Sequence, residues 1–404
     1  MDHRVAVVGA GYAGMAAAVT LAERGIPVTV FESGPLPGGR ARRVVSQGND
    51  LDNGQHILIG AYTELFRLMR LVGVPGEALL RLPLEIRYSG EFSFRTLGLP
   101  SPFNLAGGLL LATGLPLHER IGAARFMARM KRMGFALSED ISVEALLKTH
   151  KQDGRIGHYL WRPLCVSALN TPAADASAAT FLIVLRDALF GAPNASDLLL
   201  PRVDLSRLFP EPAAEFIRAH GGEIRLRTSV QNIEELKNQF KNVIVAVGPH
   251  QLKALLPGIA PEYAYQPIYT CYFQYPGQTK LAFPMLGLAG GLVQWVFDRG
   301  ALTGEKGRLA CVISAQGDHQ QLTLDELAER CHRELAEAIP GLPAPLWSRV
   351  IAEKRATISC LPGRKKISLE MPGVFLAGDY TDPEYPPTLE AAVRSGVRAA
   401  QLIS

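Results

Sequence analysis

The sequence is poor in the features that mark several function classes. Lys+Arg number 42 against 38 Asp+Glu, a formal net charge of only +4 over 404 residues. No long Lys/Arg block interrupts that balance, so a nucleic-acid partner has little support. The five cysteines, Cys165, Cys271, Cys311, Cys331 and Cys360, are scattered, odd in number and without a C-x-x-C pair. That argues against a disulfide framework and a zinc site and fits a reducing, cytoplasmic compartment. Internal repeats, low-complexity tracts, a Ser-His-Asp set and a metal-ligand cluster are all missing. The charge-free run from Val5 to Ala22 has the length of a signal peptide or spanning helix, but Gly9, Gly11 and Gly14 argue against both.

What is present begins with the amino-terminal stretch RVAVVGAGYAGMAAAVTLAERG. It reads as a buried strand, a Gly9-x-Gly11-x-x-Gly14 turn and a helix whose small residues Ala16, Ala17 and Ala18 let it lie close to a sheet. Gly9 permits the turn, Gly11 lets backbone approach a pyrophosphate beside Ala13, and Gly14 allows close helix packing. The next strand, IPVTVFE, ends in Glu32, followed by Ser33, where an acid accepts from both hydroxyls of an adenosine ribose. Past it, Gly38-Gly39-Arg40 offers a second backbone approach and a guanidinium to complete a pyrophosphate cradle.

Near the carboxyl end, GVFLAGDYTDPEYPPTLEAAVRSG reads as a strand, a Gly378-Asp379 turn, a Pro-rich loop and a last helix from about Thr388. Asp379 is placed to hold a ribitol hydroxyl, and the helix start at Thr388-Leu389 points a positive dipole toward a ring that becomes anionic on reduction. Taken with the Gly-Gly-Arg segment, these features favour FAD over NAD.

These motifs resemble the FAD-dependent amine oxidase and phytoene desaturase superfamily. DNGQHILIGAYTELFRLMRLVG and LWRPLCVSALNTPAADASAATFLIVLRDALFG resemble, more narrowly, its hydroxysqualene dehydroxylases, also called squalene-associated FAD-dependent desaturases. Ala391-Ala392 departs from the Gly-Ala of related flavoproteins. The resemblance implies an α/β fold in which a Rossmann-like FAD-binding domain (1–75, 215–260 and 345–404) is interleaved with an α+β substrate-binding domain (76–214 and 261–344). It also implies that Val230 lies against the adenine and that Asn53, Gly54, Gln55 and His56 run beneath the flavin, while Gly248-Pro249 ends the strand Val243–Val247 at the cofactor and throws the chain outward. The implied reaction converts hydroxysqualene and reduced flavin to squalene, water and oxidised flavin in squalene and hopanoid biosynthesis, with a long isoprenoid as substrate.

Such chemistry needs an acid at the leaving oxygen. The candidates are His56, Asp382, Glu384, Tyr380 and Tyr385, with His56 preferred for its ordinary pKa near neutrality and Gln55 facing the substrate. A histidine beside Ile57-Leu58-Ile59 is equally readable as a buried structural residue. The uncharged stretch Leu97–Leu117 is broken by glycine and proline and makes a poor spanning helix. After it, Phe126, Met127, Met130, Met133 and Leu137 share one helical face and Arg125, Arg129 and Arg132 the other, the pattern of an interfacial helix and equally of a core helix. The expectation drawn is peripheral contact with the inner face of a membrane. An oxidative carotenoid desaturase and a non-catalytic isoprenoid escort on the same scaffold are the competing readings. No second GxGxxG unit is present to dock a nicotinamide reductant, so no electron donor is identified.

Overall fold

The computed structural model describes residues 2–88, 91–99, 103–192, 194–259 and 261–403. At its centre is a five-stranded parallel sheet in the order Glu223–Arg225, Val28–Phe31, Asp2–Val8, Phe240–Val245, Val374–Leu376. Its inner strands are apolar at successive positions because both faces are covered, as parallel sheets require; Ala6, Val7, Val28, Val30 and Val243 are fully buried.

One cover is the helix Tyr12–Glu23, buried through nearly its whole length. It packs against the last helix, Leu389–Gln401, so closely that a Cβ on Gly396 would stand 2.1 Å from the carbonyl oxygen of Ala13. The alanine run and Gly396 are therefore a matched pair of flat surfaces. Glu390, wholly buried in that last helix, accepts from the amides of Glu64 and Leu65 and so caps the helix Thr63–Leu71 from outside, where Tyr62 offers no side-chain cap.

A second sheet of seven strands runs in the order Trp347–Ile358, Tyr265–Gln274, Arg308–Ser314, Trp295–Asp298, Met285–Gly287, Glu85–Tyr88, Phe92–Arg95. The helix Leu324–Ala338 covers part of it with Leu327, Cys331 and Leu335, opposite Cys271 and Cys311. Helices from 103–190 bury the largest core against another part, including Trp161, Phe181 and Phe126. The short strands Leu58–Ile59, Leu198–Pro201 and Leu79–Leu82 form a small sheet between the two layers.

Three sequence expectations meet a different arrangement. The segment 347–358, expected in the cofactor unit, is hydrogen-bonded along Tyr265–Gln274 in the seven-stranded sheet. The chain joins the cofactor layer by Leu205 rather than 215, because Leu205, Leu208 and Phe209 sit in the core that holds the helix Tyr12–Glu23. The helix Leu117–Arg132 turns Phe126, Met127 and Met130 into the interior, while Met133 and the basic residues Arg125, Arg129 and Arg132 are exposed. The apolar face formed by Phe126, Met127 and Met130 is thus core and not a membrane-facing surface. Pro100 and Pro102 of the preceding apolar stretch lie outside the described residues. Among the described residues, no helix is long and apolar enough to cross a membrane.

Candidate cofactor and active site

A cleft of about 1190 Å³ runs between the two sheets. Ligand pockets usually measure about 300–1,000 Å³, so this one has room for a long cofactor and a second molecule. Its lining includes Gly9, Gly11, Ala13, Glu32, Ser33, Gly39, Arg40, Val230 and Gly248, and continues past Asn53, Gly54, Gln55 and His56 to Gly378, Asp379, Thr388 and Leu389. The structure brings together nearly all the residues expected at a cofactor. Gly14 does not line the cleft; its Cβ would stand 1.9 Å from the Gly9 carbonyl oxygen, so it serves helix packing.

The backbone around the glycines fits a pyrophosphate. Gly9 and Gly39 take φ of +102° and +59°, and a Cβ on Gly39 would lie 3.1 Å from the Cα of Gly11. The two Gly-rich turns therefore meet with no side chain between them. The helix Tyr12–Glu23 begins at Gly11 with no side-chain cap, leaving first-turn amides and the helix dipole for an anion. At the strand end, Glu32 is held in place by the amides of Ala10 (2.8 Å) and Gly34 (2.6 Å). Thr388 caps the last helix through the Ala391 amide, so that helix also begins on the cleft.

Arg40, expected at a pyrophosphate, is held by partners within the chain. Its Nη2 donates to both carboxylate oxygens of Asp379 at 2.8 Å and its Nη1 to the Ala356 carbonyl. The side-chain amide of Asn53 donates to the Arg40 carbonyl and to Glu353, which ties the Gly38-Gly39-Arg40 turn to the strand Trp347–Ile358.

The stretch Asp52–His56 carries a network that the sequence does not announce. Asp52, 2% exposed, accepts from the Leu205 amide (2.8 Å) and lies 3.3 Å from Arg299. Arg299 also pairs with Glu305 and donates to Gln55 Oε1, whose Nε2 donates to the Tyr272 hydroxyl; that hydroxyl donates to the Asp52 carbonyl. Burial pushes the Asp52 carboxyl up to about 6 despite the Arg299 charge and the Leu205 amide that oppose it. His56 is half-buried on the cleft wall, and desolvation together with the Arg40 charge pushes it down to about 4. It is therefore a neutral imidazole at neutral pH, which overturns the reason for preferring it as a stored acid.

Asp382, expected as an alternative acid, does not line the cleft. Its carboxylate accepts from the Glu384 amide and lies 4.0 Å from Arg398. Glu384 is exposed and Tyr385, pushed up to about 12 chiefly by burial, is likewise off the cleft. Tyr380 does line it, but burial raises its phenol and leaves its hydroxyl without a partner.

The far end of the cleft is apolar, walled by Ile57, Val166, Ile268, Trp295, Phe297 and Val312. Trp295 is fixed there by donating to Ser167. Sequence reasoning missed this wall, Arg299 and Tyr272; the one visible signal was the charged pair Asp298-Arg299 closing an apolar strand.

The model of the flavin containing amine oxidoreductase family matches residues 12–404. Among curated proteins, hydroxysqualene dehydroxylases of Sinorhizobium fredii and Rhodopseudomonas palustris are 28% and 29% identical, each covering 100% of this chain and 98% and 99% of their own. The zeta-carotene desaturase of Arabidopsis thaliana is 24% identical, covering 99% of this chain and 85% of its own. Among solved structures, a putrescine oxidase bound to putrescine superposes with a TM-score of 0.71 at 17% identity, covering 100% of this chain and 99% of its own. A cyclohexylamine oxidase from Brevibacterium oxydans does so at 0.68 and 17%, with the same coverage. FAD is the cofactor that the paired Gly-rich turns, Glu32 and the helix start at Thr388 fit. With the family match running from the first cofactor helix to the last residue, the chain belongs to the flavin containing amine oxidoreductases.

Proposed function

We propose that the protein removes the hydroxyl of hydroxysqualene reductively, an allylic alcohol and reduced FAD giving squalene, water and oxidised FAD. The observation that carries this reading is the full-length similarity to hydroxysqualene dehydroxylases at 28–29% identity, above the 24% of carotene desaturases. The apolar wall beside His56 supports it, since a polyisoprenoid offers little but CH surface to bind.

Bound FAD supplies the hydride that replaces the hydroxyl. The chain's part is to hold the allylic carbon against the apolar wall, exclude water and deliver a proton to the leaving oxygen. His56 performs the delivery as a neutral N–H donor. Gln55, tied through both ends of its amide to Tyr272 and Arg299, is a positioning residue that fixes the backbone next to Gly54. Asn53 does the same from the other side through Arg40 and Glu353. Anaerobic incubation with hydroxysqualene and reduced FAD tests the reading: squalene is expected, and a conjugated polyene formed only with an electron acceptor would identify a desaturase instead.

The substrate and product are membrane lipids by their chemistry, and the protein carries a surface suited to reach them. Phe103, Leu110, Leu111 and Leu117 are 65%, 46%, 67% and 64% exposed in neighbouring helices, with Arg125, Arg129 and Arg132 exposed further along the second. Exposed apolar groups flanked by cations favour an anionic bilayer surface. Flotation with anionic liposomes is expected to carry the protein up, and Phe103→Ser with Leu111→Ser to abolish this; an unchanged distribution for the variant would remove this surface from the account.

A further inference from the structure

Behind the cleft lies a second, small cavity of about 10 Å³ whose polar lining is Asp52, Gln55, His56 and Arg299 and whose apolar lining includes Leu205 and Leu302. That volume is about one probe sphere, the size a single water needs, and the four polar side chains supply the two to four partners that keep such a water in place. Gly54, Gln55, His56 and Phe297 line both this cavity and the cleft. Among the described residues, His56 is the only titratable side chain common to both, while Asp52 lines the small cavity alone. The geometry is a buried carboxyl, a water-sized chamber and an imidazole, in that order toward the substrate.

Building on the proposed dehydroxylation, we propose that Asp52 is the proton source of the site and that one water in this cavity connects its carboxyl to the His56 ring, which relays the proton to the substrate's hydroxyl. The Asp52 carboxyl gives its proton to the water, the water gives one to the acceptor nitrogen of His56, and the opposite ring N–H passes one to the hydroxyl oxygen. The C–O bond breaks with both electrons on oxygen, water leaves, and the carbon takes the hydride of the overall reaction. His56 stays neutral before and after, which suits a ring that burial and Arg40 keep from holding a charge. Asp52 is left as a carboxylate beside Arg299 and His56 as the opposite neutral tautomer; between turnovers the carboxylate is reprotonated from solvent and the ring turns over to present its N–H to the next substrate.

The surroundings favour a carboxyl that changes charge near working pH. Facing Asp52 are Arg299, the acids Glu305 and Asp204, and the phenols of Tyr12 and Tyr272; facing His56 is Arg40. Arg299 stabilises the carboxylate left after transfer, while burial stabilises the acid before it, so neither form is locked.

The test uses the full chain loaded with FAD. A crystal structure is expected to show one ordered water within hydrogen-bond distance of both an Asp52 carboxyl oxygen and a His56 ring nitrogen; a dry cavity overturns the relay. Infrared titration is expected to show one carboxyl band that disappears near pH 6 and is missing from Asp52→Asn; an identical band in that variant overturns it too. Turnover of wild type is expected to fall above pH 6. Asp52→Asn, retaining its yellow flavin, should be about a hundredfold slower and without that slope, on the scale of general-acid contributions, and Asp52→Glu should restore the slope. Wild-type rate and slope in Asp52→Asn would overturn the proposal. Should Asp52→Asn fail to fold, Leu302→Phe narrows the cavity while leaving Asp52, Arg299 and His56 unsubstituted and should show the same rate loss with the carboxyl band retained; a wild-type rate with the band retained overturns the relay. If no form yields squalene at any pH the substrate assignment falls, and the water and the carboxyl band decide the relay by themselves.

Discussion

Asp52→Asn separates two opposite accounts of the buried pair beneath the cleft. If the Arg299 charge dominated, the native state would hold Asp52 as a carboxylate and its contribution to stability would be lost as pH fell. The structure argues the reverse: burial outweighs Arg299 and the Leu205 amide, and the carboxyl titrates at about 6 instead of 3.8. A group whose native pKa is raised binds its proton more tightly when folded. Its contribution is therefore complete below the unfolded value and lost as pH rises through the native one. A shift of roughly two pKa units at about 1.4 kcal/mol each is about 3 kcal/mol, most of it falling between pH 4 and 7. Urea unfolding of the flavin-free chain, followed by circular dichroism at several pH values, should show the penalty of Asp52→Asn shrinking by about 2–3 kcal/mol from pH 4 to pH 7.5. A penalty that grows with pH would mean that the ion pair wins, and the proton-source role would lose its physical basis.

Three further outcomes follow from the same geometry. Glu32→Gln keeps the shape of the strand end but removes the charge held by the Ala10 and Gly34 amides, and FAD titrated into the apoprotein should bind at least about tenfold more weakly; equal affinity would place the ribose elsewhere. Gly39→Val must strain a backbone at φ +59° and fill the gap to Gly11, so the protein should purify colourless while keeping its far-ultraviolet dichroism; a yellow protein would refute the paired-turn cradle. His56→Ala should keep bound FAD and lose turnover by about a hundredfold, and unchanged turnover would remove His56 from the mechanism.

What could be read from the sequence was what is local in it. The Gly9-x-Gly11-x-x-Gly14 turn, Glu32, Gly38-Gly39 and the Gly378-Asp379 turn each couple a strand end to a turn within a few residues, and each lines the cleft or shapes its floor. Illegible were relations that only the fold creates. Arg299 reaches Asp52 from the start of a short helix, Arg299–Thr303, far along the chain, so nothing adjacent to either residue signals the pair. An amphipathic stripe such as Phe126-Met127-Met130 cannot say whether its apolar side meets a core or a bilayer; packing against Trp161 decided for the core. Asp382 had a plausible motif position, yet the Pro-rich loop turns its carboxylate toward Arg398 and away from the cleft.

The central claim is the reaction, and product analysis tests it most directly. Purified protein with reduced FAD and hydroxysqualene, incubated without oxygen and extracted for chromatography, is predicted to yield squalene in step with flavin oxidation. Hydroxysqualene recovered intact while the flavin stays reduced, or a product with a longer conjugated chromophore, would contradict the account.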